Sequence, residues 1–318
     1  MAELGLGLAA LGRPGYINIG HGSDLGADRS RDTMERRAHE VLDAAYAAGI
    51  RYVDAARSYG LAEVFLASWL ASRRIADGDV VVGSKWGYTY TADWRVQADA
   101  HEVKSHSLST FTRQLAESRA TLGHALALYQ IHSATLESGV LDDSAVVDAL
   151  ACERDNGLRI GLSVSGARQG ETILRALEIS RGGERVFGSV QATWNLFERG
   201  AEAALVAAAT AGVRVIVKEA LANGRLSARG DVGASAASDP LARAANELGV
   251  GKDAVAIACA LARPWASVVL SGATTVPQLE SNARARMVLV TPRLEEQLAS
   301  LTMDSATYWR ERSALEWN

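Results

Sequence analysis

Short apolar segments alternate with longer segments of helical periodicity along the whole sequence. The short segments are rich in Val, Ile and Leu, which is typical of parallel strands buried on both faces. Eight of them are predicted as strands, at residues 4–8, 50–53, 80–82, 126–131, 159–163, 186–191, 213–217 and 267–270. The predicted helices cover residues 34–48, 62–72, 108–122, 144–156, 171–179, 201–210, 241–248 and 253–261, with two more starting near Pro277 and Leu294.

This alternation places the chain in the α/β class. Eight β/α units within 318 residues fit a closed (β/α)8 TIM barrel, whereas a doubly wound sheet usually has fewer strands or a second domain. Because no linker or shift in composition divides the chain, we predict one barrel domain over residues 1–318. Residues 12–33 and 86–107 are long connections that follow the first and third strands, on the side where barrel active sites are built.

The composition disfavours several classes of protein. The chain has 33 Lys and Arg residues against 37 Asp and Glu residues, and its net charge of −4 argues against binding to nucleic acid. No apolar run of about 18 residues predicts a membrane span, and the first residues lack the basic segment of a secretory signal. Cys152 and Cys259 are too few for a disulfide framework or a cysteine-rich metal site. We therefore expect a cytoplasmic enzyme without a metal, a nucleic-acid partner or a membrane partner.

Glycine motifs for nucleotide binding are incomplete in this sequence. Gly5 and Gly7 begin a G-x-G pattern, but a Rossmann fingerprint would need a third glycine where Ala10 stands. Gly12 is followed by Arg-Pro rather than by the Lys-Ser/Thr of a P-loop. The sequence also contains neither H-E-x-x-H nor G-x-S-x-G.

Four residues of different chemistry follow three neighbouring strands. Asp54 and Tyr59 follow the second strand, Lys85 follows the third, and His132 follows the fourth. Because the carboxyl ends of barrel strands meet at one mouth, we expect an acid, a phenol, a cation and an imidazole to converge there. Each residue alone is weak support for a site, but four at adjacent strand ends predict an active site.

The chemistry of these groups suits the reduction of a carbonyl. A phenol with a pKa near 10 is a reluctant acid, and a neighbouring ammonium is predicted to lower that pKa. A carboxylate beside the ammonium orients it, and an imidazole can polarise the carbonyl oxygen. Such a set protonates an oxygen while a nicotinamide delivers hydride to its carbon.

At these positions the sequence resembles the aldo-keto reductase family. The matching segments are Val53-Asp54, Ser58-Tyr59-Gly60, Gly83-Ser-Lys85, Tyr129-Gln-Ile-His132, Ile160-Gly-Leu-Ser163, Val190-Gln191, and residues 270–282. The resemblance spans almost the whole chain in the family's order. It implies a (β/α)8 barrel that binds NADP(H) across its mouth, with Tyr59 as general acid, Lys85 and Asp54 tuning it, and His132 orienting the carbonyl.

The resemblance also assigns cofactor-binding residues. Ser163 and Gln191 are expected at the nicotinamide carboxamide, and residues 218–223 along the pyrophosphate. That second segment comprises Lys218, Glu219, Ala220, Leu221, Ala222 and Asn223. The adenosine end is assigned to Gly272, Thr274, Gln278 and Asn282. Thr275 to Gln278 has the form of a capping box, which indicates either an ordinary capped helix or an anion site at its N-terminus.

The sequence departs from the family at three places. Val164 stands where many relatives carry Asn or Arg. Lys218 replaces an aromatic residue that stacks on the nicotinamide; it is predicted either to disfavour the oxidised ring or to point to solvent or pair with Glu219. Few basic residues lie at 272–282, although Arg229 matches a cation that relatives use nearby. We predict NADP(H) as the preferred cofactor, with Arg229 at its 2′-phosphate and NAD(H) possible.

The substrate is predicted to be a small carbonyl compound or alcohol, with Trp86 and Tyr88 lining its pocket. Three other functions stay open. The chain is alternatively a sugar or alcohol dehydrogenase that works oxidatively with NAD(P), or a Schiff-base lyase that uses Lys85 or Lys218 as nucleophile. A catalytically quiet binding protein is the third alternative.

Overall fold

The computed structural model describes residues 2–230 and 239–318, and a closed barrel of eight parallel strands lies at its centre. The strands are β1 (Glu3–Gly7), β2 (Tyr52–Asp54), β3 (Val81–Trp86), β4 (Leu126–Ala134), β5 (Arg159–Val164), β6 (Ser189–Thr193), β7 (Arg214–Lys218) and β8 (Val268–Ser271). They pair in chain order, and β8 closes the ring on β1. The predicted (β/α)8 barrel is confirmed, while its extent over residues 1–318 stays a prediction.

The described part of the chain also carries helices around the barrel and in its connections. They are α1 (His21–Leu25), α2 (Arg31–Ala47), α3 (Ala62–Arg73), α4 (Leu108–Leu122), α5 (Ser144–Asp155), α6 (Gln169–Leu177), α7 (Glu202–Thr210), α8 (Pro240–Leu248), α9 (Lys252–Leu261), α10 (Val276–Ala283), α11 (Pro292–Leu298) and α12 (Ser305–Ser313). None of them has the length and hydropathy needed to cross a membrane.

Both long connections contain structure of their own. The connection after β1 holds α1, and the one after β3 holds an antiparallel hairpin of Tyr88–Tyr90 and Glu102–Lys104. The second helix begins at Arg31, three residues before the predicted start at residue 34, because the hydroxyl of Ser30 caps it by accepting a hydrogen bond from the amide of Thr33. These connections therefore form a structured wall above the barrel mouth.

The core follows the alternation of side chains along the strands. Val53 and Val269 belong to the main apolar cluster, whereas their neighbours Tyr52 and Val268 belong to a separate small cluster. Since successive strand residues face opposite sides, the small cluster fills the inside of the barrel. Gly83 makes room for Tyr52 there, because a Cβ at this glycine would stand 2.3 Å from the tyrosine hydroxyl.

Candidate active site

The carboxyl ends of the strands open into one cavity of about 640 Å³. Seven strands contribute a residue at or within two positions of their carboxyl end to its wall: Gly7, Asp54, His132, Ser163, Gln191, Lys218 and Ser271. Tyr59, which follows β2 in the turn before α3, also lines it. Of the four residues singled out in the sequence, Asp54, Tyr59 and His132 therefore face a common space.

Lys85 joins the acid and the phenol. Its ammonium forms an ion pair with the carboxylate of Asp54, and both side chains are buried. The same ammonium donates to the carbonyl oxygen of Ala55 at 2.9 Å and to the hydroxyl of Tyr59 at 3.4 Å. Residues 26 positions apart in the chain thus lie within hydrogen-bond reach.

His132 also packs against the phenol. Its ring centroid is 5.4 Å from that of Tyr59, and its Nδ1 is 3.3 Å from the hydroxyl of Ser58. The Tyr88 ring, 5.0 Å from the imidazole, packs on it from the hairpin. The structure therefore brings together all four residues that the sequence placed at the reacting centre.

Burial sets the protonation states of the two rings. It raises the pKa of Tyr59 well above 10, and the nearby Asp54 carboxylate raises it further. This net direction is opposite to the sequence-based prediction, because the loss of solvent around the phenol outweighs the neighbouring cations. Burial, followed by the charge of Lys85, lowers the pKa of His132 well below 6.5. Near neutral pH the phenol keeps its proton and the imidazole is uncharged.

The nicotinamide-binding candidates lie beside the acid. Gln191 and Ser163 are paired in register on neighbouring strands, and both line the cavity. The amide nitrogen of Gln191 donates to Asp54 at 2.8 Å, and the hydroxyl of Ser163 accepts from the amide of Ser133 at 2.8 Å. Gln191 therefore helps to fix the carboxylate that orients Lys85.

Lys218 faces the cavity from the end of β7. Its ammonium donates to the hydroxyl of Thr193 at 2.9 Å and lies 3.9 Å from the carboxylate of Glu219. Burial lowers the pKa of Lys218 to about 8, although Glu219 opposes that shift. Glu219 is held by an ion pair of 2.6 Å with Arg312. Lys218 therefore lies near Glu219, as one of the two sequence-based alternatives predicts, and it also lines the cavity, while an effect on the oxidised ring stays a prediction.

The rest of the predicted pyrophosphate segment divides between the cavity and the core. Ala220, Leu221 and Asn223 line the cavity. The side chain of Ala222 does not, because it is fully buried in the apolar cluster with Leu196. The assignment of Ala222 to the cofactor stays a prediction, and its position outside the cavity counts against it.

The two predicted substrate residues also have different positions. Tyr88 lines the cavity beside His132. Trp86 has no exposed surface and packs against Phe111 at 5.0 Å between ring centroids. Because β3 continues through Trp86 and side chains alternate, Lys85 points into the mouth and Trp86 points away from it. The prediction that Trp86 lines the substrate pocket is wrong.

Several cavity residues were missed in the sequence. Arg13 is buried above the phenol, with its guanidinium 5.3 Å from the Tyr59 ring, and it pairs with Glu102 of the hairpin at 3.0 Å. Trp317 lies 4.7 Å from the same guanidinium, and the next residue exchanges backbone hydrogen bonds of 3.1 Å with Tyr16. The position of Arg13 in a long connection after the first strand is the one local signal that could have pointed to it. Nothing near Trp317 in the sequence indicates that it lies at the cavity.

The predicted adenosine residues line the same cavity near β8. They are Gly272, Thr274, Gln278 and Asn282, together with Arg229 from the connection after β7. Arg229 forms an ion pair with Asp24 of α1. The hydroxyl of Thr275 caps α10, as the sequence predicts, by accepting from the amide of Gln278.

A comparison with models of protein families decides the family. The model described as the Aldo/keto reductase family matches residues 3–300. The chain belongs to this family. The resemblance seen in the sequence is confirmed, and the protein is an oxidoreductase. Aldo-keto reductases use NAD(P)H and act on small-molecule carbonyl substrates.

Solved structures of aldo-keto reductases share the fold. One from Bacillus halodurans, in its holo form, has a TM-score of 0.67 and 21% identity, over 95% of this chain and 92% of that one. One from Klebsiella pneumoniae, solved in complex with NADP and acetate, has a TM-score of 0.65 and 18% identity, over 94% and 90% of the two chains. No curated protein sequence matches this chain.

Proposed function

We propose that this aldo-keto reductase reduces an aldehyde or ketone to an alcohol, with Tyr59 as the general acid. The observation that carries this proposal is the contact of 3.4 Å between the Lys85 ammonium and the Tyr59 hydroxyl, inside a cavity that His132 also lines. A phenol, a cation and a neutral imidazole around one point suit the protonation of an oxygen that gains negative charge.

The cavity fits a nicotinamide dinucleotide in extent and chemistry. It runs from Tyr59 to the N-terminus of α10, and a Cβ at Gly272 would meet nothing within 4 Å. Amide and hydroxyl groups of Gln191, Ser163 and Asn282 face it. These residues would hold the nicotinamide and adenosine ends, and the reduced ring, when bound, supplies hydride to the carbonyl carbon.

The proton moves from Tyr59 to the carbonyl oxygen. An oxygen that becomes an alkoxide is a stronger base than a phenolate, so a phenol with a raised pKa still donates to it. Lys85 then faces the new phenolate and stabilises it, while Asp54 holds the ammonium in position. His132 is uncharged near neutral pH, and in the tautomer that accepts a hydrogen bond from Ser58 at Nδ1, its Nε2–H would donate to the carbonyl oxygen. Solvent returns the proton to Tyr59 after the alcohol leaves.

A panel of aldehydes, ketones and alcohols tests the proposal. The absorbance of the reduced nicotinamide is followed with NADH and with NADPH, and we expect consumption with at least one carbonyl class. Since one site catalyses both directions, the alcohol arm also tests the oxidative dehydrogenase. No turnover of any carbonyl or alcohol with either cofactor would contradict the proposal.

The Schiff-base lyase is the second candidate function. The pKa of Lys218, lowered to about 8, makes its amine a better nucleophile than an ordinary lysine. Borohydride trapping of an imine with a carbonyl substrate, without any need for nicotinamide, would favour it. A nicotinamide-dependent reaction with no trapped imine favours the reductase.

Lys218 is expected to influence the oxidation state of the bound cofactor. A cation facing the nicotinamide disfavours the positively charged oxidised ring. The dissociation constant of the oxidised cofactor, divided by that of the reduced cofactor, should therefore fall about tenfold in Lys218→Met. Because the pKa of Lys218 is about 8, its charge is present below that pH and lost above it. The wild-type ratio should therefore fall as pH rises through 8, whereas the Met ratio stays constant. An equal ratio in both proteins would refute this role.

The preference for NADP(H) stays a prediction. It depends on Arg229, whose guanidinium is paired with Asp24.

A further inference from the structure

The carboxylate of Asp24 occupies the donors expected for the adenosine end of the cofactor. It pairs with the Arg229 guanidinium, and it accepts from the hydroxyl of Thr274 and the amide of Gln278, each at 3.0 Å. The resemblance to the family assigns all three donors, Arg229, Thr274 and Gln278, to the adenosine end of the cofactor. A protein anion therefore lies where the 2′-phosphate of NADP(H) would seek its partners.

Asp24 lies on an anchored element. Its side chain is 8% exposed, and its helix neighbours His21 and Leu25 have no exposed surface. The amide of Gly22 donates to the side chain of Asn318 at 2.8 Å and fixes the start of the same helix. These contacts hold the helix backbone in place, and the ion pair with Arg229 and the hydrogen bonds from Thr274 and Gln278 hold the carboxylate in the cavity wall.

The charges on this side of the cavity do not favour a second anion. Burial alone would raise the pKa of Asp24, but hydrogen bonds from Arg229 and Gln278 lower it below its usual value, so the carboxylate is ionised. The carboxylate of Asp24 therefore compensates the positive charge of Arg229. Asp253, which also lines the cavity, adds a further carboxylate.

The two cofactors differ in what they present to this wall. A dinucleotide with its nicotinamide beside Tyr59 extends its adenosine toward α10, since the cavity continues there. The ribose 2′-hydroxyl of NAD(H) can donate a hydrogen bond to a carboxylate. The 2′-phosphate of NADP(H) is an anion that accepts hydrogen bonds, and it would repel Asp24 while competing with it for Arg229.

We propose that Asp24 is a specificity-determining residue that makes this site favour NAD(H) over NADP(H). The inference depends on the proposed function, because it assumes that a nicotinamide dinucleotide occupies the cavity. It runs against the cofactor preference predicted from the sequence, because the sequence shows Arg229 without showing its partner.

Equilibrium binding to the full chain tests the inference without requiring turnover. Dissociation constants are measured for NADH and NADPH, and for ADP-ribose and its 2′-phosphorylated form. We expect the wild type to bind the unphosphorylated member of each pair about tenfold more tightly or better. In Asp24→Asn, the dissociation constants for NADPH and 2′-phosphorylated ADP-ribose should fall about tenfold. Those for NADH and ADP-ribose should change less than about threefold.

Two further variants keep the result interpretable. Asp28→Asn makes the same change of charge in the same connection, at an exposed carboxylate that accepts a hydrogen bond from Thr33. It should leave the ratio of the NADH and NADPH dissociation constants unchanged. Arg229→Ala leaves Asp24 unmatched and should weaken NADPH more than NADH. If Asp24→Asn does not fold, Asp24→Ser removes the same negative charge and tests the same prediction, since Arg229→Ala alone would weaken NADPH whichever cofactor the wild type prefers.

The outcomes separate the two proposals. Tighter binding of NADPH by the wild type overturns the inference and leaves the proposed function intact. Equal weakening of both cofactors in Asp24→Asn and Arg229→Ala overturns it too, since the ion pair would then only fasten the connection after β1. Failure of every dinucleotide to bind overturns the proposed function and the inference with it.

Discussion

Replacement of Tyr59 by phenylalanine is expected to lower kcat for carbonyl reduction by about 10²- to 10⁴-fold, the usual contribution of a positioned general acid. The substitution removes the hydroxyl and keeps the ring that packs against His132. The imidazole cannot take over as the acid, because its pKa is held well below 6.5 and it is uncharged near neutral pH. Affinity for the reduced cofactor should stay within about twofold, because no cofactor contact is assigned to the hydroxyl.

Tyr88→Phe is a matched control for this prediction. It removes a hydroxyl from another ring that packs on His132, but one for which no contact with Lys85 is seen. We expect its kcat to fall less than about tenfold. Single-turnover kinetics and cofactor titration of both variants provide the measurement. Loss of cofactor binding in Tyr59→Phe, or equal loss of kcat in both variants, would show that Tyr59 has a structural role.

The parts of the fold and site that the sequence predicts depend on local periodicity. The barrel and its strand ends follow from short apolar runs between helices, and those ends locate Asp54, Lys85 and His132. The error at Trp86 has a local cause as well. The sequence-based strand stops at residue 82, whereas β3 continues to Trp86 and its alternation turns this ring away from the mouth.

Other features have no local signal because they depend on how the connections meet. Asp24 and Arg229 come from the connections after β1 and β7, and Gln278 comes from α10, so their ion pair and hydrogen bonds exist only in the folded chain. Trp317 reaches the cavity through contacts with Arg13, more than 300 positions earlier. The direction of the Tyr59 pKa shift depends on the same enclosure, since burial by these connections is its largest cause.

Disruption of the buried ion pair between Lys85 and Asp54 is expected to lower both stability and activity. Lys85→Met leaves the buried Asp54 carboxylate without a cation, with Gln191 as its closest remaining donor at 2.8 Å. Removal of one partner of a buried pair costs about 3–5 kcal/mol of the free energy of unfolding. The variant should also lose kcat by about 10²-fold or more, because the phenolate formed on Tyr59 would face no cation.

A surface pair provides the control for stability. Arg73 and Asp43 form an ion pair at 2.8 Å, with side chains 44% and 43% exposed. Arg73→Met should cost less than about 1 kcal/mol, because solvent already screens that pair. Urea unfolding of both variants measures the difference. A cost at Lys85 no greater than at Arg73 would contradict the prediction.

The double variant Asp54→Asn/Lys85→Met separates the structural role of the pair from its catalytic role. An amide and a thioether leave no buried charge, so most of the free energy of unfolding lost in Lys85→Met should return. Activity should not return, because the double variant still has no ammonium 3.4 Å from the Tyr59 hydroxyl. If kcat recovers together with stability, Lys85 acts only by neutralising Asp54, and the phenol must transfer its proton without a neighbouring cation.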